Sequence, residues 1–206
     1  MRLAVLQARM TSSRFPGKMM QPLAGEPLLA RLIERIGFAR RIDRLVIATS
    51  KELSDDPIAQ LCQARGTDCY RGNLDDVLDR VYQAALLAGA RTVIRLTGDC
   101  PLLDPAVVDA TIELFETGSF DYTSNVHPPT FPDGLDVEVM RFEVLETAWR
   151  EAKASREREH VTPYVYREGT QFRIGNYRQS QDLSALRWTV DNADDYQLVN
   201  KIYTEL

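Results

Sequence analysis

The first eighteen residues, MRLAVLQARMTSSRFPGK (1–18), place a short apolar run directly before a basic loop rich in hydroxyl groups. The apolar residues Leu3 to Leu6 predict a buried first strand, and the run is too short for the core of a signal peptide. The loop after it carries the cations Arg9, Arg14 and Lys18. Several cations that converge in this way are what the phosphates of a nucleotide require.

Small and turn-forming residues in the same loop favour the phosphate interpretation. Ser12 and Ser13 would let backbone N–H groups approach phosphate oxygens, and Pro16-Gly17 would turn the chain back towards the site. Charge alone leaves a solvated basic loop as an equal alternative. The sequence contains neither G-x-G-x-x-G after this strand nor G-x-x-x-x-G-K-[ST], so it predicts neither a dinucleotide fingerprint nor a P-loop.

Length and composition narrow the class of protein. The chain has 206 residues, 44% of them hydrophobic, which favours one domain over residues 1–206. The formal net charge of −5 argues against a nucleic-acid-binding protein, and no apolar run approaches the roughly 20 residues that span a bilayer. Three cysteines without a C-x-x-C spacing indicate reduced thiols and a cytoplasmic location.

Strands and helices alternate along the first half of the chain and become less regular afterwards. The pattern predicts strands at 3–6, 44–49, 67–70, 92–96, 121–125, 135–140, 172–176 and 186–190. It predicts helices at 27–39, 57–65, 75–88, 105–116, 142–153, 157–167 with a break near Pro163, and 194–203. The order indicates a single α/β domain with a mixed, mainly parallel sheet flanked by helices. Ligands of such sheets bind at the carboxyl ends of the strands.

Several acidic residues stand just after predicted strands or before predicted helices. Asp99 and Asp191 each follow a strand, although a single aspartate there is more often a turn or cap residue. Ser54 and Asp55 are possible caps for the helix at 57–65. Asp76 and Arg80 are four residues apart on a helix, where they can form a surface ion pair.

The loop also carries a resemblance to a known family. From Gln7 the chain reads Q-A-R-M-x-S-x-R-x-P-G-K, which resembles the N-terminal signature of cytidylyltransferases that activate acidic sugars. The nearest likeness is to the SpsF group of spore-coat polysaccharide biosynthesis, and a more distant one is to the CMP-KDO and CMP-sialic acid synthetases. Further matches follow in order along the chain: 47–50, 71–72, 75–80, 95–101, 133–138, 157–164 and 189–191.

The resemblance implies a nucleotide-diphospho-sugar transferase (GT-A-like) fold and transfer of CMP from CTP to an acidic sugar, with release of pyrophosphate. It implies Mg²⁺ held by Asp99 and Asp191, and a homodimer. Arg9, Arg14 and Lys18 would hold and neutralise the triphosphate. The full set of expected nucleotide contacts is Gln7, Ala8, Arg9, Ser12, Ser13, Arg14, Lys18, Thr49, Ser50, Arg71, Arg80 and Thr97.

The acceptor sugar is assigned to a second group of residues. Asp136 and Glu138 are two apart on a predicted strand, so they share one face, and Glu159 with His160 begins a charge-rich helix. A solvated strand face and a structural histidine are the alternatives.

Three other functions remain open from the sequence. The chain could use another nucleoside triphosphate, act as a non-catalytic nucleotide-binding subunit, or consume a nucleotide sugar as a glycosyltransferase. Glycosyltransferases of this kind usually carry a D-x-D motif that binds a metal ion, and this chain reads Gly98-Asp99-Cys100 instead.

Overall fold

Strand β1 (Arg2–Gln7) is the centre of the computed structural model, which describes residues 1–205. It pairs in parallel with β4 (Arg44–Ser50) on one side and β6 (Thr92–Thr97) on the other. Its four apolar residues, from Leu3 to Leu6, are all completely buried. A strand covered on both faces needs such a continuous apolar run, which explains why the alternation typical of a half-exposed strand is absent.

The remaining elements build a seven-stranded mixed sheet. Its order is β5-β4-β1-β6-β8-β7-β9, and only the two pairings of β8 are antiparallel. The other sheet strands are β5 (Asp68–Gly72), β7 (Tyr122–Ser124), β8 (Glu138–Arg141) and β9 (Ile174–Asn176). A separate two-stranded hairpin, β2 (Pro22–Leu23) with β3 (Glu26–Pro27), was not predicted from the sequence. The predicted α/β architecture is confirmed.

Helices cover both faces of the sheet. They are α1 (Leu28–Ile36), α2 (Asp56–Ala64), α3 (Val77–Ala88), α4 (Pro105–Thr117), α5 (Phe142–Glu151), α6 (Ser155–His160), α7 (Pro163–Tyr166) and α8 (Ala193–Glu205). One core contains Leu6 and Ile47 with residues of α1 and α4, and the other contains Val5 and Val46 with residues of α3 and α5. Among residues 1–205 there is no helix whose length and apolarity would let it cross a membrane.

One predicted strand is wrong. Residues 186–190 form only an isolated bridge, between Arg187 and Asp133, and do not join the sheet. Their backbone bonds go to loops instead, because Trp188 N–H donates to the Asp133 carbonyl at 2.6 Å and Val190 N–H donates to the Asp99 carbonyl at 2.7 Å. The second of these bonds brings Asp191 next to the carboxyl end of β6, which matters for the site.

The predicted break near Pro163 is confirmed and has a defined shape. Helix α6 ends at His160 and α7 begins at Pro163. Val161 between them is fully buried and has φ 72° and ψ −56°. Thr162 N–H donates to the His160 carbonyl at 2.8 Å, which makes the segment a γ-turn centred on Val161.

Candidate functional site

The basic loop after β1 folds back on itself at the carboxyl edge of the sheet. Gly17 N–H donates to the Met10 carbonyl at 2.8 Å, and Gly17 takes a φ of 75°, which favours glycine. Lys18 then enters a short 3-10 turn (Lys18–Met20) and is buried. Its Nζ donates to the Val190 carbonyl at 2.7 Å, so the loop is tied to the segment that carries Asp191.

Asp55 anchors this loop from below. Its carboxylate is fully buried and accepts from Met10 N–H at 2.7 Å, from the Thr49 hydroxyl at 3.0 Å and from Ser50 N–H at 3.0 Å. Burial acts to raise the pKa of Asp55, but these hydrogen bonds outweigh it, so the pKa lies below the usual value. Asp55 stands at the N-cap position of α2, one of the two positions considered from the sequence, but its side chain makes no capping bond there.

The loop forms one wall of a cavity of about 360 Å³. The residues predicted to bind nucleotide, metal or acceptor that line it are Gln7, Ala8, Arg9, Ser12, Ser13, Arg14, Lys18, Arg80, Thr97, Asp99, Glu159, His160 and Asp191. Cations from the loop and from α3 thus face carboxylates from the ends of β6 and the 186–190 segment. A polyanion with a bound cation is the ligand that such a lining complements.

Arg80 is the most unusual residue of this cavity. It is 1% exposed, and its Nε is buried without a hydrogen-bond partner. Only its Nη1 is satisfied, by the carbonyls of Asn73 at 2.6 Å and Leu74 at 3.1 Å. Burial and the nearby Arg9 lower the pKa of Arg80.

The alternative in which Asp76 and Arg80 form a surface ion pair does not occur in the structure. Asp76 caps α3 by accepting from Asp79 N–H at 3.0 Å, and it forms an ion pair with Arg158, whose Nη2 lies 2.5 Å from it. Arg80 and Arg9 therefore have no ion-pair partner within residues 1–205. A buried cation left unpaired costs stability, which points to an anionic ligand that pairs with it.

The two predicted metal ligands, Asp99 and Asp191, both line this cavity. The Asp99 carbonyl accepts from Val190 N–H at 2.7 Å and from the Thr189 hydroxyl at 3.0 Å, which places Asp191 beside it. The described residues assemble no group of three or more His, Cys, Asp or Glu side chains able to hold a metal ion. Two carboxylates fit Mg²⁺, whose other ligands are commonly waters and phosphate oxygens.

Asp191 is also the meeting point of three cations. Arg14 lies 2.9 Å from its carboxylate, Lys18 3.3 Å and Arg187 2.7 Å. Burial acts to raise the pKa of Asp191, but the Arg187 hydrogen bond and the charge of Lys18 outweigh it and lower the pKa. The carboxylate therefore stays ionised, the form in which it can bind a metal ion.

Three residues predicted to contact the nucleotide lie outside this cavity. Thr49 and Ser50 are fully buried and bind Asp55. Arg71 donates to the Ser50 carbonyl at 2.9 Å and pairs with Asp56 at 2.7 Å. In this conformation all three fix the end of β4, and their contact with a nucleotide remains a prediction.

A second cavity, of about 310 Å³, adjoins the first and shares Arg95, Thr97 and His160 with it. Asp136 and Glu138, predicted to bind the acceptor, line this second cavity, whereas Glu159 lines only the first. Burial, followed by the charges of Asp133, Glu138 and Asp99, raises the pKa of Asp136 to about 7.

Glu138 is already engaged inside the protein. It pairs with Nη1 of Arg95 and accepts from the Tyr122 hydroxyl at 2.5 Å. Burial acts to raise the pKa of Glu138, and Arg95 outweighs it and lowers the pKa. Its direct contact with an acceptor also remains a prediction.

Sequence reasoning missed two residues that build the site. Asp55 was interpreted as a helix cap, and Arg95 was not assigned any role. Arg95 nevertheless left a signal, because it interrupts the apolar run Val93-Ile94-Arg95-Leu96 in a strand that is otherwise typical of a buried one.

Comparison with known proteins places this geometry among nucleotide-transferring enzymes. The sequence model of a family described as "Cytidylyltransferase" matches residues 3–204. The spore coat polysaccharide biosynthesis protein SpsF of Bacillus subtilis is 34% identical over 98% of this chain and 85% of its own. A solved cytidylyltransferase from Leptospira borgpetersenii superposes with a TM-score of 0.94, at 30% identity, over 100% of this chain and 87% of its own.

A more limited match concerns an enzyme with a named sugar. The 3-deoxy-manno-octulosonate cytidylyltransferase of Anaeromyxobacter dehalogenans is 38% identical over 55% of this chain, which spans about half of that enzyme's length (47%).

Proposed function

The chain belongs to the cytidylyltransferase family, and from this premise we propose that it transfers CMP from CTP to an acidic sugar and releases pyrophosphate. The names of its relatives support a role in polysaccharide biosynthesis and a sugar acid as acceptor. The proposal includes Mg²⁺ as cofactor, a homodimer as the active form and a cytoplasmic location, which rest on the family resemblance.

The observation that carries the proposal is that two nearby cations, Arg9 and Arg80, both lack an ion-pair partner among residues 1–205. Arg80 is buried in the wall of the first cavity with an unsatisfied Nε, and its own carboxylate neighbour is taken by Arg158. A folded protein keeps such a charge where a ligand supplies the counter-charge. A triphosphate carries the negative charge that would pair with Arg80, and it would also reach the loop cations.

The reaction needs positioning and charge neutralisation more than it needs a nucleophile from the protein. An acceptor hydroxyl oxygen attacks the α-phosphorus and gives up its proton to water, and the bond from that phosphorus to the oxygen bridging it to the β-phosphorus breaks, so that pyrophosphate leaves. Arg9, Arg14 and Lys18 would hold the triphosphate in line and neutralise the departing pyrophosphate. When Mg²⁺ is bound by Asp99 and Asp191, it supplies Lewis-acid neutralisation of phosphate charge.

Binding of CTP to the Arg80→Met variant tests the observation directly. The variant should raise the Kd for CTP at least about 30-fold, since a charge-assisted contact with a phosphate or base is lost. The free protein should unfold at the same or a higher temperature, because the unpaired buried charge is removed. Arg178→Met, at an exposed arginine, is the matched control and should change neither quantity.

Turnover separates the proposal from its competitors. Pyrophosphate release is measured with Mg²⁺, a panel of four nucleoside triphosphates and a panel of sugar acids. The proposal expects release with CTP and a sugar acid together. Release with another nucleotide only, or CTP binding without any turnover, would replace it with another nucleotidyltransferase or a non-catalytic subunit. A variant of Arg80 that is destabilised yet binds CTP normally would show that the residue is structural.

A further inference from the structure

Arg95 occupies the wall that the two cavities share. We propose that Arg95 binds the carboxylate of the acceptor, and that Glu138 and Tyr122 are positioning residues that fix its guanidinium for this purpose. The inference rests on the proposed function, because it names the part of the acceptor that the second cavity recognises.

The guanidinium of Arg95 is held on two sides, with one nitrogen left open. Its Nε donates to the Gln7 side-chain oxygen at 3.0 Å, and its Nη1 pairs with Glu138. Its Nη2 forms no hydrogen bond within residues 1–205. Nη2 is not among the buried atoms that lack a partner, so it keeps accessible surface on a residue that lines both cavities. A planar donor fixed in this way is pre-organised for an anionic oxygen.

Glu138 and Tyr122, which fix Arg95 from one side, are themselves buried. The side chain of Glu138 is 6% exposed and that of Arg95 is 11% exposed. Tyr122 is fully buried in the sheet, and its hydroxyl donates to the second carboxylate oxygen of Glu138 at 2.5 Å. Glu138 therefore spends both oxygens on the protein, which leaves Arg95 as the group of this pair that a ligand can reach.

Backbone strain marks another part of the lining of the second cavity. Val161 is a buried β-branched residue at a positive φ of 72°, a conformation that such residues rarely adopt. The turn holds His160 and Thr162 on either side of it, and both line the second cavity. Strain of this kind is found where a binding wall must have a fixed shape.

The charges of the second cavity favour a carboxylate over a neutral sugar. Arg95 and Arg156 line it, and the charges of Arg95 and Glu138 balance each other, so Arg156 is the cation in excess. Asp136 is the other carboxylate there, and because burial raises its pKa to about 7, it is only about half ionised at neutral pH. A sugar acid thus finds a cation with an open donor in this cavity, while Asp136 remains available to its hydroxyl groups.

The test compares sugar acids with their neutral esters. The probes are 3-deoxy-manno-octulosonate and N-acetylneuraminate, each with its methyl ester, bound to the full chain in the presence and absence of an α,β-methylene analogue of CTP. Titration calorimetry gives an acid-to-ester ratio of Kd values for the wild type and for Arg95→Lys, Tyr122→Phe and the control Arg91→Lys. Arg91 is exposed and directly precedes β6, the strand that carries Arg95.

We expect at least one acid to bind the wild type at least ten times more tightly than its ester. Arg95→Lys should lower this ratio about tenfold or more, since lysine cannot reproduce the fork, and leave the Kd of the nucleotide analogue within twofold. Tyr122→Phe should lower the preference for acid over ester several-fold, and Arg91→Lys should leave this preference unchanged. A merely structural role would lower the melting temperature and weaken acid and ester equally.

The opposite outcomes overturn the inference. These are an unchanged ratio in Arg95→Lys, equal binding of acid and ester by the wild type, or no binding of either acid. If the nucleotide analogue fails to bind, the proposed function fails instead, while the ratio measured without nucleotide still decides the role of Arg95. Lysine keeps a positive charge beside Glu138, so this variant avoids the unpaired buried carboxylate that Arg95→Met would leave.

Discussion

Replacing Asp55 by asparagine removes the one carboxylate that ties the basic loop to the sheet. The loop is held by Met10 N–H at 2.7 Å from one oxygen of Asp55, while Thr49 and Ser50 donate to the other oxygen at 3.0 Å. An asparagine amide has a single acceptor oxygen. Whichever way the amide is oriented, at least one backbone N–H then faces another donor in a site without solvent.

The expected cost follows from these contacts. A hydrogen bond to a charged group contributes about 1.5–3 kcal/mol, and a buried donor left unpaired costs a further 1–3 kcal/mol. Because asparagine keeps one acceptor oxygen, we expect Asp55→Asn to lower the free energy of unfolding by the lower part of this combined range, about 2.5–4 kcal/mol. In a chain of this length that corresponds to a fall in Tm of very roughly 5–15 °C.

Nucleotide binding should weaken as well, because the loop that carries Arg9 and Arg14 loses its anchor. Fixing one residue's backbone costs about 1–2 kcal/mol, so a loop that must order on binding raises the Kd for CTP by roughly tenfold or more. Thermal and urea unfolding give the stability, and calorimetric titration gives the Kd. Asp75→Asn, at an exposed aspartate without an ion pair among the described residues, is the control.

The pH dependence gives a second check on Asp55. The pKa of Asp55 is lowered in the folded protein. Its contribution to stability is therefore complete at pH values above the usual aspartate pKa of 3.8 and is lost as the pH falls towards the folded pKa. The difference in the free energy of unfolding between the wild type and Asp55→Asn should therefore be largest at pH 7 and should become smaller below pH ~4. A variant within about 0.5 kcal/mol of the wild type at pH 7 would refute the reasoning.

Three further predictions concern the rest of the site. Asp136→Asn should stabilise the metal-free protein by about 2–4 kcal/mol above pH 7 and have little effect near pH 4, because the folded pKa of about 7 makes ionisation of Asp136 costly. Urea unfolding in EDTA at pH 4 and pH 8 measures this difference. Equal stability of variant and wild type at pH 8 would contradict the prediction. Gly134→Ala should destabilise by more than about 3 kcal/mol, since φ is +112° and a Cβ would lie 2.6 Å from Thr189 N and from the Trp188 carbonyl carbon; a Tm within 2 °C of the wild type would argue against it. Asp99→Asn should lower pyrophosphate release at least about 100-fold and weaken Mn²⁺ binding in the presence of CTP. Electron paramagnetic resonance measures the Mn²⁺ binding, and unchanged binding in the variant would show that Asp99 is not a metal ligand.

The arginine of α3 shows where sequence spacing is ambiguous. Asp76 and Arg80 have the separation of a helical ion pair, and that interpretation is wrong because Arg158, 82 residues further along, takes the carboxylate. Local spacing describes neighbours along one helix only. The competition for Asp76 arises when α6 packs against α3, which no pattern within residues 75–80 reveals.

The sequence by itself determined the α/β fold, the strand that centres the sheet and the loop that forms the first cavity. The physical reason is that hydrophobic periodicity and turn residues act over short distances, and the carboxyl ends of parallel strands meet at one edge wherever the strands lie. Only the tertiary structure decided that residues 186–190 bridge a loop instead of joining the sheet, and that Asp55 anchors a loop instead of capping a helix. It alone showed that Arg80 is left without a carboxylate and that Arg95 separates two cavities. These outcomes depend on which distant groups compete for the same hydrogen bonds and charges, and that competition exists only after the chain has packed.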